Sequence, residues 1–176
     1  VIVEGTSDQF YLTAIKTFLI GRGMIAPSQE MIFLPSGGVS GIKAVVPIIS
    51  GKSNNLPFVI LDSDKIGQDM AKNLLANLYC GAREHIITID MITGLPDCEI
   101  EDILPTDLLA DVITKYLRGP EKDFSEYVSG THPIVPQVEA YAAEYKLELK
   151  NGWKVDVARA FKSRLQKNPS VLNDTS

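Results

Sequence analysis

The stretch FVILDSDKIG, at residues 58–67, combines a short apolar run with two aspartates that follow it at once, Asp62 and Asp64. The opening stretch VIVEGTSD, at residues 1–8, has the same arrangement, with Glu4 directly after its β-branched residues. Such runs are typical of buried parallel strands, whose carboxyl ends meet at one edge of an α/β sheet, where ligands bind. We therefore expect these carboxylates to converge and to bind a divalent cation.

Carboxylates that are crowded and buried without compensation cost several kcal/mol, so a positive partner is expected. Asp8, in the first turn of the helix predicted after Glu4, belongs to the same group. Oxygen ligands favour Mg²⁺ or Mn²⁺ over zinc. Zinc is not expected, since the residues that usually bind it lack zinc-site spacing; these are His85, His132, Cys80 and Cys98.

Hydrophobic periodicity and turn residues predict alternating strands and helices in the first half of the chain. The predicted strands are residues 1–3, 31–34, 57–61 and 84–89. Helices are predicted after the first strand, at residues 42–49 and at residues 67–79, with a turn at 35–41 and a loop at 51–55. This alternation predicts right-handed crossovers and a parallel, Rossmann-like sheet of four strands flanked by helices.

Beyond residue 92 the pattern becomes mainly helical. Helices are predicted at residues 106–117 and 138–145 and around residues 155–165, with breaks at Gly119–Pro120 and between Pro133 and Pro136. We expect residues 1–92 to form the α/β core, residues 93–168 to pack on it and complete the site, and residues 169–176 to fray.

The composition of the chain limits its class. Its 176 residues, 45% of them apolar, can bury one core, and no apolar run reaches the roughly 18 residues of a membrane helix. We expect a cytoplasmic protein without a membrane partner. The net charge of −5 argues against a general polyanion-binding surface, so any nucleic-acid contact must be focused. The chain begins within a strand and without Met, so a fragment of a longer protein is expected.

Two motifs together resemble one known family. The first strand ends in Glu-Gly-x-x-Asp and the third in Asp-x-Asp-x-x-Gly, which resembles the Toprim domain of topoisomerases, bacterial primases, small ribosomal RNA maturases and overcoming-lysogenization-defect (OLD) nucleases. The matching residues are Glu4, Gly5, Asp62, Asp64 and Gly67, with the turn PSGG at residues 35–38 similar to the family's glycine turn. The stretches IEDILP, at residues 100–105, and KVDVA, at residues 154–158, are similar to the OLD branch.

This resemblance implies a Toprim-type fold and a DNA endonuclease that uses two Mg²⁺ or Mn²⁺ ions about 4 Å apart. It implies metal ligands at Glu4, Asp8, Asp62 and Asp64, with Glu101 or Asp102 as a further one. It also implies an N-terminal ABC-type ATPase outside this chain and a homodimeric full-length protein. No Walker motif occurs here, so this fragment itself is not expected to hydrolyse ATP.

Glu4 is alternatively a general base, and Lys154 is the candidate for stabilising charge on the phosphate. Backbone N–H groups of the turn at Ser36, Gly37 and Gly38 are candidates for phosphate contact, and Arg159 and Lys162 for contact with the DNA backbone.

Each of these motifs also has a structural interpretation. Asp-x-Asp alone is often a solvated turn, and acids before a helix, such as Glu101 and Asp102, often serve its dipole. Lys154 alone is compatible with an ordinary surface lysine, and Gly37-Gly38 with a simple strand-to-helix connection. Asp97 and Glu99 are expected to be exposed loop acids.

Three other functions remain open. A haloacid-dehalogenase-like phosphatase also uses Asp-x-Asp, but it favours a threonine soon afterwards, where this chain has Lys65-Ile66-Gly67. A phospho-receiver domain uses a similar strand-end pocket, with its acid pair after the first strand rather than the third. The last alternative is a metal-dependent nucleic-acid-binding module without activity of its own.

Overall fold

A computed structural model of the protein describes residues 1–53, 55–118 and 122–172. Four strands form one parallel sheet in the order β2-β1-β3-β4, which confirms the predicted α/β class. The strands are β1 (Ile2–Val3), β2 (Leu34–Pro35), β3 (Val59–Leu61) and β4 (Ile86–Thr88). Because β1 and β3 are neighbours in the middle of the sheet, the two acidic motifs follow adjacent strands.

Helices connect the strands and make up most of the second half of the chain. They are α1 (Thr6–Gly21), α2 (Val39–Ser53), α3 (Lys65–Ala76), α4 (Asp90–Thr93), α5 (Thr106–Leu117), α6 (Phe124–Tyr127), α7 (Ile134–Glu144) and α8 (Trp153–Lys167). Short 3₁₀ turns occur at Arg83–His85, Ile100–Ile103 and Pro169–Leu172.

The apolar core has two parts, one on each face of the sheet. The smaller part joins strand residues such as Val59 to the inward faces of α2 and α3. The larger part joins α1 to the helices of the second half, and Tyr11 meets Phe161 edge-on with ring centroids 5.3 Å apart. The second half therefore packs directly on α1.

Helices α1 and α8 lie side by side and run in the same direction. Thr6 and Lys154, at their starts, line one cleft, whereas Arg22, just after α1, donates a hydrogen bond to the carbonyl of Pro169, after α8. Since α1 follows β1 directly, both helices begin at the carboxyl edge of the sheet. This arrangement places Lys154 near the acids that follow the strands.

Several predicted boundaries in the first half are wrong. Strand β2 lies at Leu34–Pro35 instead of 31–34, and α2 continues through 51–53, which were predicted to be loop. Helix α3 begins at Lys65 rather than at Gly67, because Asp64 caps it by accepting a hydrogen bond from the Gly67 amide at 2.7 Å. Asn54, also in the predicted loop, lies outside the described residues.

The fourth strand is shorter than predicted. It begins at Ile86, since residues 83–85 form a 3₁₀ turn. There His85 stacks on Phe58 and its Nδ1 lies 2.7 Å from the Leu56 carbonyl oxygen. These contacts tie the turn to the chain just before β3.

In the second half, α5 coincides with its predicted range, but α7 begins at Ile134 rather than at residue 138. The helix accommodates Pro136 because proline is tolerated in a first turn, where N–H groups lack intrahelical partners. The predicted break at Gly119–Pro120 and residues 173–176 of the predicted tail lie outside the described residues. None of the helices in the described ranges combines the length and the apolar character that a membrane-spanning helix needs.

Candidate metal centre

Glu4 and Asp62 meet at the carboxyl edge of the sheet. Ile2 of β1 is paired with Val59 of β3, so the residues that follow these strands are brought side by side. An oxygen of Glu4, Oε1, accepts a hydrogen bond from the Asp62 amide at 2.9 Å, across 58 positions of sequence. The structure thus brings together the two predicted residues on which the metal-site hypothesis depends.

A second group of acids reaches this edge through the 3₁₀ turn Ile100–Ile103. The amide of Ile100 donates to Asp62 Oδ1 at 3.1 Å. Cys98 lies just before this turn and is hydrogen-bonded to Ser63. The Ser63 hydroxyl donates to the Cys98 carbonyl and accepts from the Cys98 amide, both at 2.9 Å. These buried hydrogen bonds fix the segment that carries Glu101 against the end of β3.

Glu101 is the most unusual of these acids. Its side chain is 2% exposed, and neither carboxylate oxygen has a hydrogen-bond partner among the described residues. Burial raises the pKa of Glu101 to about 8, an effect that the charge of Lys154 opposes. A buried carboxylate without partners destabilises the fold when ionised, so Glu101 is a candidate ligand for a cation.

Burial and mutual repulsion also raise the pKa values of the two central acids. The pKa of Glu4 rises to about 7, mainly through desolvation, although the hydrogen bond from the Asp62 amide opposes the rise. The pKa of Asp62 rises to about 9, first through desolvation and then through the charges of Glu4, Asp8 and nearby acids. At neutral pH the group therefore favours either bound protons or a bound cation.

Asp8 and Asp64 lie beside this pair, with part of their hydrogen-bonding capacity already used. Asp8 is buried, and its oxygens accept from the Gly5 amide at 2.8 Å and the Ser7 hydroxyl at 3.0 Å. Desolvation raises the pKa of Asp8, against the effect of these hydrogen bonds and of Lys154. Asp64 is the N-cap of α3, whose Gly67 approaches so closely that a Cβ there would lie 2.1 Å from the Asp62 carbonyl oxygen.

Both carboxylate oxygens of Asp102 are used in hydrogen bonds that stabilise the fold. One of its oxygens accepts from the Glu99 amide at 2.8 Å, and the other accepts from the Ile134 amide, at the start of α7, at 2.7 Å. Desolvation raises its pKa, which these hydrogen bonds oppose. Its predicted role as a ligand stays a prediction, and Glu101, its neighbour, has the more available oxygens.

Lys154 lies among the acids and forms an ion pair with Glu99. Desolvation lowers the pKa of Lys154, but attraction to Glu101, Glu99 and other acids outweighs it, so the pKa is raised overall. The side chain of Glu99 is only 25% exposed, so the expectation that it is an exposed loop acid is wrong. Its apolar neighbours in sequence, Cys98 and Ile100, are the signal that could have indicated a partly buried acid, and both are buried.

The predicted phosphate-contacting turn supports the end of β1. The Gly38 amide donates to the Glu4 carbonyl at 2.8 Å, and the Ser36 hydroxyl donates to the Gly38 carbonyl at 2.9 Å. Gly37 and Gly38 have φ values of 79° and 104°, which only glycine adopts easily. This amide of Gly38 is therefore already engaged, which favours the structural interpretation of the turn.

Arg159 and Lys162 lie further along α8 than Lys154. Their cationic groups stand over the ring of Phe10, each 5.4 Å from its centroid. Arg159 is exposed and lies 3.5 Å from a carboxylate oxygen of Asp156. Their predicted role in binding DNA stays a prediction.

The carboxylate oxygens of this group are chemically suited to a hard divalent cation, but they are not arranged around one position as the ligands of a bound ion are. In the three ranges that the structure describes, no group of three or more His, Cys, Asp or Glu side chains is close enough to hold a metal ion. One oxygen each of Glu4, Asp62 and Asp64 already accepts a hydrogen bond from a backbone amide. The unpartnered carboxylate of Glu101 and the raised pKa values of its neighbours nevertheless suit an oxygen-bound cation.

Compared with protein-family models, with curated proteins and with solved structures, this chain matches none. The resemblance to the Toprim domain therefore depends on the two motifs themselves and stays a prediction.

Proposed function

We propose that this chain is a metal-dependent DNA endonuclease domain that resembles those of OLD-family proteins. Its cofactors are two Mg²⁺ or Mn²⁺ ions, and its substrate is a DNA phosphodiester bond. An N-terminal ABC-type ATPase region and a homodimeric arrangement belong to the same proposal, as does a cytoplasmic location.

The observation that carries this proposal is the contact between Glu4 and Asp62, beside the unpartnered carboxylate of Glu101. A fold selected only for stability would gain little from acids placed so close together and out of water. Oxygen-only donors at the carboxyl ends of parallel strands are suited to Mg²⁺ or Mn²⁺.

The residues that would hold the cations are Glu4, Asp8, Asp62, Asp64 and Glu101. When bound, divalent cations would offset the charge of the phosphate and acidify a water molecule. Asp62 occupies the centre of the group, since it contacts Glu4 through its amide and the 3₁₀ turn through its carboxylate.

Two side chains have proton or charge roles beside the cations. Burial raises the pKa of Glu4 in the metal-free protein, and its carboxylate, once ionised beside the cations, can accept a proton from an attacking water. Lys154 keeps its ammonium charged among the acids and can approach a non-bridging phosphate oxygen once it leaves Glu99. The pair with Glu99 holds Lys154 close to its working position before DNA binds.

Conversion of supercoiled plasmid to nicked or linear DNA tests this function. We expect cleavage in Mg²⁺ or Mn²⁺, none in chelator, and rates at least about 100-fold lower in Glu4→Gln and Asp62→Asn. Asp97→Asn is the matched control, because it makes the same change at an exposed loop position and should cleave normally. Equal cleavage in chelator, or full activity in Asp62→Asn, would contradict the proposal.

A further inference from the structure

A cleft of about 550 Å³ opens beside the carboxylates. The start of α1 forms one wall, and the loop before α8 together with the start of α8 forms the other. Its lining includes Gly5, Ser7, Glu139, Lys150, Trp153 and Lys154. Its volume lies within the range of small-molecule sites and is sufficient for one nucleotide.

The cleft adjoins the candidate metal centre directly. Gly5 and Ser7 line it and also donate hydrogen bonds to Asp8, one of the proposed ligands. Lys154 lines it as well and forms the ion pair with Glu99. A group bound in the cleft would therefore lie next to the phosphate at which the cut is proposed.

Trp153 gives the cleft an aromatic surface. It is the one tryptophan in the sequence, and it is only partly buried. Its side chain packs against the larger apolar core and also lines the cleft, so the core holds the ring in place. A fixed, partly exposed indole is suited to stacking with a planar base.

The charges around Trp153 favour an anion near the ring. Two lysines line the cleft: Lys150, which is exposed on the loop before α8, and Lys154, the residue after Trp153. The acid in its lining is Glu139 of α7. Lys154 is already paired with Glu99, whereas Lys150 forms no ion pair within the described residues. Lys150 therefore supplies an uncompensated positive charge, which suits the phosphate of a nucleotide.

We propose that this cleft binds one unpaired nucleotide of a DNA strand, with its base on Trp153 and its phosphate near Lys150. The inference rests on the proposed function, and it adds a preference for single-stranded or locally melted DNA. A base in an intact duplex would have to leave its stack before it could enter, at a cost of a few kcal/mol.

Because Trp153 is the single tryptophan, its fluorescence reports on the cleft without a label. A short single-stranded oligothymidylate, added in chelator so that nothing is cut, is expected to quench this fluorescence saturably. A hairpin duplex of the same length should bind at least about five-fold more weakly, the lower limit for the loss of one stacked base. Absence of quenching, or equal affinity for the hairpin, would overturn the inference.

Charge variants locate the binding. Lys150→Gln is expected to weaken oligothymidylate binding several-fold and Glu139→Gln to strengthen it, with both differences shrinking as salt is raised. Both residues are exposed, so these variants should fold normally. Lys167→Gln, at the far end of α8, is the matched control and should bind like the wild type. Equal effects of Lys150→Gln and Lys167→Gln would show that DNA does not use the cleft.

Trp153→Ala should weaken binding of labelled oligothymidylate by roughly five- to 150-fold, and Trp153→Phe by less, since phenylalanine retains packing and some stacking. The two proposals fail separately. Quenching without metal-dependent cleavage would remove the nuclease and leave a nucleotide site, whereas cleavage without quenching would remove only the nucleotide site.

Discussion

Replacing Glu101 by glutamine should stabilise the metal-free protein at alkaline pH. Burial raises the pKa of this carboxyl from an ordinary value of 4.5 to about 8, so the folded state holds a proton that the unfolded chain releases. The free energy of unfolding therefore falls as pH rises, from full stability below the unfolded pKa to its lowest level above the folded pKa. Glutamine resembles the protonated acid at every pH and should remove this dependence.

The size of the effect follows from the same pKa values. A rise from 4.5 to about 8 disfavours the ionised form by about 5 kcal/mol, at about 1.4 kcal/mol per pKa unit. The glutamine amide finds no partner in the positions of the two carboxylate oxygens, which costs about 1 to 3 kcal/mol. We expect Glu101→Gln to be less stable than the wild type near pH 5 and more stable by about 2 to 4 kcal/mol above pH 8, so the two curves cross.

Urea denaturation in chelator, followed by circular dichroism across this pH range, measures both curves. Glu139→Gln makes the same change at an exposed position and should shift stability by less than about 0.5 kcal/mol at any pH. Added Mg²⁺ should stabilise the wild type at alkaline pH and Glu101→Gln much less, since ligand binding to the folded state raises its stability. Parallel pH curves for the wild type and Glu101→Gln would show that burial does not disfavour the ionised form of Glu101.

Gly67→Ala should lower the free energy of unfolding by about 1 to 3 kcal/mol, since its Cβ would lie 2.1 Å from the Asp62 carbonyl oxygen. Gly51→Ala is the control: it lies in open space on α2 and should raise the free energy of unfolding by up to about 1 kcal/mol. Urea denaturation measures both changes. Lys154→Gln should cost about 1 to 3 kcal/mol at neutral pH in the same assay, because it leaves Glu99 and its neighbours without their counter-charge, and high salt should reduce the loss. The purified chain should release no phosphate from p-nitrophenyl phosphate, and phosphate release would instead favour the phosphatase. Acetyl phosphate should not label Asp62, and labelling would instead favour the receiver domain.

The class of the fold and the meeting of Glu4 with Asp62 were accessible to sequence reasoning. Both depend on patterns that act over few residues: an apolar run, an acid directly after it and a helix long enough for a parallel crossover. The pairing of β1 with β3 then decides that the two acids share one edge. Element boundaries were less accessible, because a single side chain decides them, as Asp64 does for the start of α3.

The contribution of the second half to the site was harder to predict. Glu99 and Glu101 reach Asp62 because Ser63 and Cys98, which lie 35 positions apart, are hydrogen-bonded in the interior. Each of these residues has an ordinary local interpretation, a serine in a turn and a cysteine as a small buried residue. Only the pair has the positioning effect, and pairs across such a distance leave no periodic trace in a single sequence.

At Glu101, the residue that would best stabilise the fold differs from the one that the proposed function needs. It lies beside Ile100, in the segment that packs against the larger core, where an apolar side chain of similar size would avoid the cost of burying a charge. Lys154, whose charge acts on Glu101, pairs with Glu99 instead and leaves both Glu101 oxygens unpartnered within the described residues. Stability alone therefore gives no reason for an acid here, and a bound cation does. The crossing stability curves and the Mg²⁺ effect test this argument at one residue, independently of whether any DNA is cut.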